Sequence, residues 1–164
     1  MKPASAILDA IMDEPGTRES LIKTLAPLCP DVEDEVLRDF VSRMDAEYFE
    51  RFQPETIAHH VQLASRLTPD HPCELSVLDK QARQSEISIV ACDYFSEFAT
   101  ICGLRSAFGL NIEEGRIYTF ADAAARPATD WPSKRPKGRP GLSRKKIVDV
   151  FLVHPVSGER FSTP

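Results

Sequence analysis

The stretch Glu86-Ile-Ser-Ile-Val-Ala-Cys-Asp93, read with Gly109-Leu-Asn-Ile112 and Ile147-Val-Asp-Val-Phe-Leu-Val153, decides the fold. Ile87, Ile89 and Ala91 recur at every second position, the period of a strand. Residues 95–108 change to helical spacing, with Phe98, Ile101, Cys102, Leu104 and Phe108 as one stripe. Gly109 is suited to end that helix, because a left-handed residue there has no Cβ to clash. Residues 111–120 read as a strand. Ile147-Val-Asp-Val-Phe-Leu-Val153, apolar except for Asp149, reads as a strand covered on at least one face and paired on both edges.

Ahead of this unit, Leu75 and Val77 alternate with Ser76 and Leu78, and a polar turn over residues 80–85 joins them to the run at Ile87. That pattern predicts a hairpin. Thr68-Pro-Asp-His-Pro72 breaks the periodicity before it and marks a boundary.

Upstream of the boundary the spacing is helical. Ile7, Leu8, Ile11 and Met12 form a first stripe, ended by Pro15-Gly16. Thr17 caps a second helix, with Leu21, Ile22, Leu25 and Leu28 on one face up to Cys29-Pro30. Asp31 caps a third and longer helix carrying Val36, Leu37, Phe40, Val41, Met44 and Phe49, with Glu33, Asp34 and Glu35 near its positive end. Pro54-Glu55 opens a fourth, with Ile57, Val61, Leu63, Ala64 and Leu67 facing inward. The expectation is an α+β chain: a helical N-terminal segment over residues 1–70, then a mixed unit over residues 71–164.

Composition narrows the classes. The 164 residues are 42% hydrophobic and 27% charged, the balance of a soluble globular chain. No run of about 18 apolar residues could span a bilayer. The N-terminus gains Asp9 before any signal-peptide core develops, so a cytoplasmic location is expected. Cys29, Cys73, Cys92 and Cys102 form no CxxC pair, and Cys92 and Cys102 read as small core residues. The histidines make no HExxH pattern, and His59-His60 reads as one packed and one solvated ring. Neither a metal nor a cofactor is expected. No GxxxxGK[ST] or GxGxxG loop and no catalytic set is present, so the chain is expected to be non-catalytic.

Taken in order, Glu86-Ile-Ser-Ile-Val-Ala-Cys-Asp93, Phe98-Ala-Thr-Ile-Cys-Gly103, Gly109-Leu-Asn-Ile112, Gly115-Arg-Ile-Tyr-Thr119 and Val148-Asp-Val-Phe-Leu-Val153 resemble an ACT domain. More narrowly they resemble the ACT modules of PII-protein uridylyltransferases and related nitrogen-regulatory nucleotidyltransferases, including the adenylyltransferases of glutamine synthetase. Tyr48-Phe-Glu-Arg-Phe-Gln-Pro-Glu-Thr-Ile-Ala-His59-His60 is similar to the helical stretch before the first ACT domain of those enzymes. The resemblance covers about residues 38–120 and 146–155. It implies an incomplete ferredoxin-like (ACT) βαββ module with an extra leading hairpin strand, its last helix and fourth strand missing. It also implies a regulatory segment that senses an amino acid such as glutamine, or relays a signal through ACT pairing, as a homo-oligomer or beside a nucleotidyltransferase core.

Effector contact is expected at Asp93, Tyr94, Ser96, Asn111 and Ile112; the alternative is a hydrogen-bonded turn at Asp93 and a simple turn at Asn111. The family's turn reads Asp-x-Pro-Gly-x-Phe, whereas here it is Asp93-Tyr94-Phe95-Ser96-Glu97-Phe98, with a side chain where the glycine admits a ligand. In the complete fold the fourth strand pairs with the first. Its loss is therefore expected to leave the strand from Ile87 to Asp93 as an apolar open edge.

Residues 121–146 are rich in Ala, Pro, Gly and bases and read as a flexible insertion. From position 133 to 146 there are seven bases and no acid, which leaves 13 bases against 25 acids in the rest. Lys134-Arg-Pro-Lys-Gly-Arg-Pro-Gly141 resembles an AT-hook, with Lys134, Arg135, Lys137 and Arg139 as the binding set. The alternatives are a solvated insertion and docking on an acidic partner. The acidic body argues against DNA.

Overall fold

The computed structural model describes residues 15–80, 84–92, 110–121 and 145–155. Among them a helical layer of four α-helices packs on one face of a four-stranded antiparallel sheet, an α+β arrangement. The first predicted helix, the helix over residues 95–108 and most of the basic insertion lie outside the described residues.

Helix α1 is Pro15–Leu25, continued by a 3-10 turn at Ala26–Leu28. Pro15 is its first residue, a position that suits a side chain whose missing N–H would be unpaired at a helix start. Thr17 falls inside the first turn and is not its cap. Helix α2, Asp34–Arg43, has Glu33 at its N-cap in place of the expected Asp31, with Asp34 and Glu35 in the first turn.

The expected long third helix is two helices. Met44 turns to extended backbone, and Asp45 caps α3, Ala46–Arg51, its carboxylate accepting the Tyr48 N–H at 2.9 Å. A short acid beside the chain offers a donor a better partner than the continued helix would. Helix α4, Pro54–Ser65, starts at its proline as expected and buries Ile57, Ala58, His60, Val61, Leu63 and Ala64.

The strands are β1, Cys73–Asp79; β2, Ser85–Cys92; β3, Leu110–Thr119; and β4, Lys146–Pro155. Their order is β1-β2-β4-β3. Strand β2 is thus an interior strand, paired with β1 on one side and β4 on the other. The open edge expected there does not exist, because the leading hairpin strand occupies it.

Alternation gives the sheet two faces. Val90, Val148, Val150, Tyr118 and the adjoining Phe120 join Leu25, Phe40, Val41, Tyr48 and Ile57 in one core shared with the helices. Phe40 meets Phe120 edge-on at 5.1 Å, and Tyr48 meets Tyr118 at 5.1 Å. The other face collects Ile89, Ala91, Ile147, Phe151 and Val153. Asp149, 1% exposed, sits on that face between Ile89 and Ile117.

The helices and sheet are also joined through the backbone. Ala121 N donates to Arg43 O at 2.9 Å and Arg43 Nε donates to Ala121 O at 2.8 Å, while the guanidinium lies over Phe120. Phe120 N donates to Lys146 O at 2.9 Å, so the chain leaves β3 and enters β4 at one place.

Candidate functional site

A cleft of about 250 Å³ opens between the α3–α4 corner and the helix-facing side of the sheet. The corner supplies Arg51, Phe52, Gln53 and Thr56. Pro54 sets the sharp restart of the chain there, so Arg51 ends one helix while Thr56 lies in the first turn of the next.

The sheet supplies the floor and the opposite charges through its register. Glu86, Leu152 and Glu114 form one row across β2, β4 and β3, and Ser88, Val150 and Arg116 form the next. With strands spaced about 4.8 Å apart, the two glutamates stand about 10 Å apart across Leu152. Lys80, just past β1, pairs with Glu86 at 3.3 Å. Arg116 pairs with Glu114, and Arg51 reaches the same carboxylate at 3.9 Å. Three cations and two carboxylates therefore ring an apolar floor of Val150 and Leu152. Arg51 is held most loosely, since 3.9 Å exceeds hydrogen-bond distance.

Chemically this ring suits a small molecule carrying both charges. A carboxylate can take the Arg51 guanidinium in two-pronged geometry, and an ammonium can take a glutamate. A compact polyanion would meet the two carboxylates instead.

Beside the cleft lies a sealed polar chain. Tyr48 Oη is 2.7 Å from His60 Nδ1, and His60 Nε2 is 3.0 Å from Ser88 Oγ. A neutral imidazole offers one donor and one acceptor, so the ring satisfies both hydroxyls. Burial, with the neighbouring His59 adding to it, lowers His60 to about 4, and burial pushes the Tyr48 phenol well above its ordinary range. A serine, a histidine and a tyrosine in line suggest nucleophile chemistry. All three are buried, with His60 and Tyr48 fully so, and they hold α3, α4 and β2 together.

His59 is exposed, and its Nε2 lies 2.8 Å from Ser76 Oγ on β1. The histidine pair is thus divided as its apolar neighbours predict, one ring packed and one solvated.

Asn111 and Ile112 are consecutive residues of β3 and so face opposite ways. Asn111 is exposed, its Nδ2 3.4 Å from His154 Nε2, and Ile112 packs on the far-face cluster. Neither lines the cleft. Asp93, Tyr94, Ser96, Lys134, Arg135, Lys137 and Arg139 lie outside the described residues. Arg51, Lys80, Glu86, Glu114 and Arg116 were not singled out from sequence. No spacing rule links them, and only the alternation of β2, β3 and β4 gave a partial signal.

Among the described residues no group of three or more His, Cys, Asp or Glu side chains could hold a metal ion. No helix there is long and apolar enough to cross a membrane. No protein-family model matches the chain, and no curated protein matches it.

Proposed function

We propose that this chain is a non-catalytic regulatory segment, an ACT-like sheet borne on a helical layer, serving a nucleotidyltransferase of nitrogen metabolism. It responds to a small amino acid such as glutamine and relays the signal through pairing of its sheets. The sheet order carries this reading. Strands β2, β4 and β3 stand in the order of the first, third and second strands of a ferredoxin-like sheet. Strands β2 and β3 both run antiparallel to β4 and hence parallel to each other, so the chain crosses over between them. Strand β1 fills the flank where that fold places its fourth strand.

The cleft supports a ligand of amino-acid class. Arg51 on α3 and Glu86 and Glu114 on the sheet come from two layers, so a molecule bridging them favours one packing of those layers. Titration calorimetry with glutamine, glutamate and other amino acids tests the reading. Saturable heat at millimolar ligand or below, lost on Arg51→Ala, is expected. Absence of heat from every amino acid sinks the sensing part.

A second reading gives the basic run its own role, because Phe120 and Lys146 hold the two ends of that segment together at one point of the fold. On this reading Lys134, Arg135, Lys137 and Arg139 engage AT-rich DNA. Salt-dependent retention on such a duplex, lost on Arg139→Ala, favours it.

A further inference from the structure

The cleft at the α3–α4 corner is not the place where effector contact was expected. Glu86, on its rim, is the second residue of β2, and Cys92 closes that strand about 20 Å further on. Asp93, Tyr94 and Ser96 follow that far end in the chain. The cleft is therefore a site of its own, and its charges indicate what it accepts.

Arg51, Lys80 and Arg116 against Glu86 and Glu114 leave the lining with a net charge of +1. Lys80 lies 3.3 Å from Glu86, and Arg116 is taken up by Glu114 and by the Tyr118 phenol. Glu113, the next acid along β3, is engaged by Gln84 Nε2 and does not line the cleft. Arg51 approaches Glu114 only to 3.9 Å, beyond hydrogen-bond distance, so its fork of donors is open to a ligand. At the other pole Lys80 gives one N–H to Glu86 and carries two more.

Donors thus stand at both poles, with Val150 and Leu152 between them. A five-carbon chain with a carboxylate at each end sets the two carboxyl carbons about 5 Å apart. A charge-assisted bond of about 2.8 Å at each end extends that span to about 10 Å, the spacing of the two glutamates across Leu152.

We infer that the cleft takes an acidic amino acid, a five-carbon α-amino dicarboxylate of the glutamate type, in preference to a neutral one. The α-carboxylate takes Arg51, and the ammonium takes Glu114 beside it. The methylenes cross Val150 and Leu152, and the second carboxylate takes Lys80. A ligand of this class cancels the net charge of the lining. Glutamine offers Lys80 only a dipole where glutamate offers a full charge. Lys80 is 40% exposed, so solvent and salt hold the difference to a few-fold. The inference rests on the sensing reading above and sets its ligand class, acidic against neutral.

Titration calorimetry of the whole chain with glutamate, glutamine, aspartate and glutarate, at low and at high salt, tests it. Glutamate is expected to bind at least about fivefold tighter than glutamine, and the ratio should shrink in high salt. Glutarate, which has no ammonium, and aspartate, one methylene shorter, are expected to bind more weakly than glutamate. Lys80→Gln, just beyond the end of β1, makes the lining neutral. It is expected to bring glutamate and glutamine to equal affinity with circular dichroism unchanged. Glu86→Gln makes the lining more positive and is expected to widen the preference for glutamate. Glutamine binding as tightly as glutamate, or a preference that Lys80→Gln leaves intact, would overturn the inference and leave the sensing reading in place. Silence from every amino acid overturns the sensing reading itself, and this inference with it, so the two failures are told apart.

Discussion

Ser76 and Ser88 lie directly opposite each other across β1 and β2, and each is held by one of two consecutive histidines. His59 reaches the edge strand and His60 the interior strand, so one turn of α4 is fastened across the hairpin. The two rings have opposite exposures and therefore opposite consequences when altered.

His60 should make the fold acid-sensitive. Its folded value of about 4 lies below the ordinary 6.5, so the unfolded chain takes up a proton that the folded chain refuses. The stability is complete above pH 6.5 and falls as pH drops toward 4, by roughly 3 kcal/mol in all. Urea unfolding at pH 7.5 and pH 4.5 of the wild type and His60→Asn checks this. The gap between the two proteins should narrow in acid; parallel loss in both would assign the effect to other groups.

Tyr48→Phe removes the partner of His60 Nδ1 while keeping the aromatic packing around it. The buried nitrogen then loses its hydrogen bond, at a cost of about 1–3 kcal/mol. Ser88→Ala does the same at Nε2. The double variant should cost less than the two single costs added, because both act on one ring. Denaturant titration of the three variants measures the coupling, and strict additivity would contradict it.

Asp45→Ala should destabilise by about 1 kcal/mol, because the Tyr48 N–H loses its cap. Asp45→Asn keeps an accepting oxygen and should recover most of the loss. Melting temperatures of the pair distinguish capping from a charge effect.

Gly115 lies beneath an aromatic ring. A Cβ built there would come 3.1 Å from Phe151 Cδ1 and Cε1, closer than side chains normally pack. Gly115→Ala should therefore destabilise by roughly 1 kcal/mol. Phe151→Leu in the same chain should shrink that penalty, as thermal unfolding of the four combinations would show.

The sequence reading succeeded where a local period sufficed. Leu75, Val77, Ile87 and Ile89 announced a hairpin, and Pro54 announced the start of α4. It misread the helix ends at Thr17, Asp31 and Met44. At these points the competition is between neighbouring caps, and tertiary packing chooses: Met44 turns extended and is buried in the core. The cleft was illegible because its charges are scattered from Arg51 to Arg116. Strand register brings Glu86 and Glu114 to either side of Leu152, and register depends on pairing that no single segment encodes.

By itself the sequence determined the mixed helical and strand character, the hairpin, and the division of His59 and His60 into a solvated and a packed ring. Those features follow from side-chain period and immediate neighbours. Tertiary structure alone decided that, among the described residues, β2 is interior and β1 is the edge. A strand's pattern shows which face is apolar, but only its neighbours show which backbone groups remain to be paired.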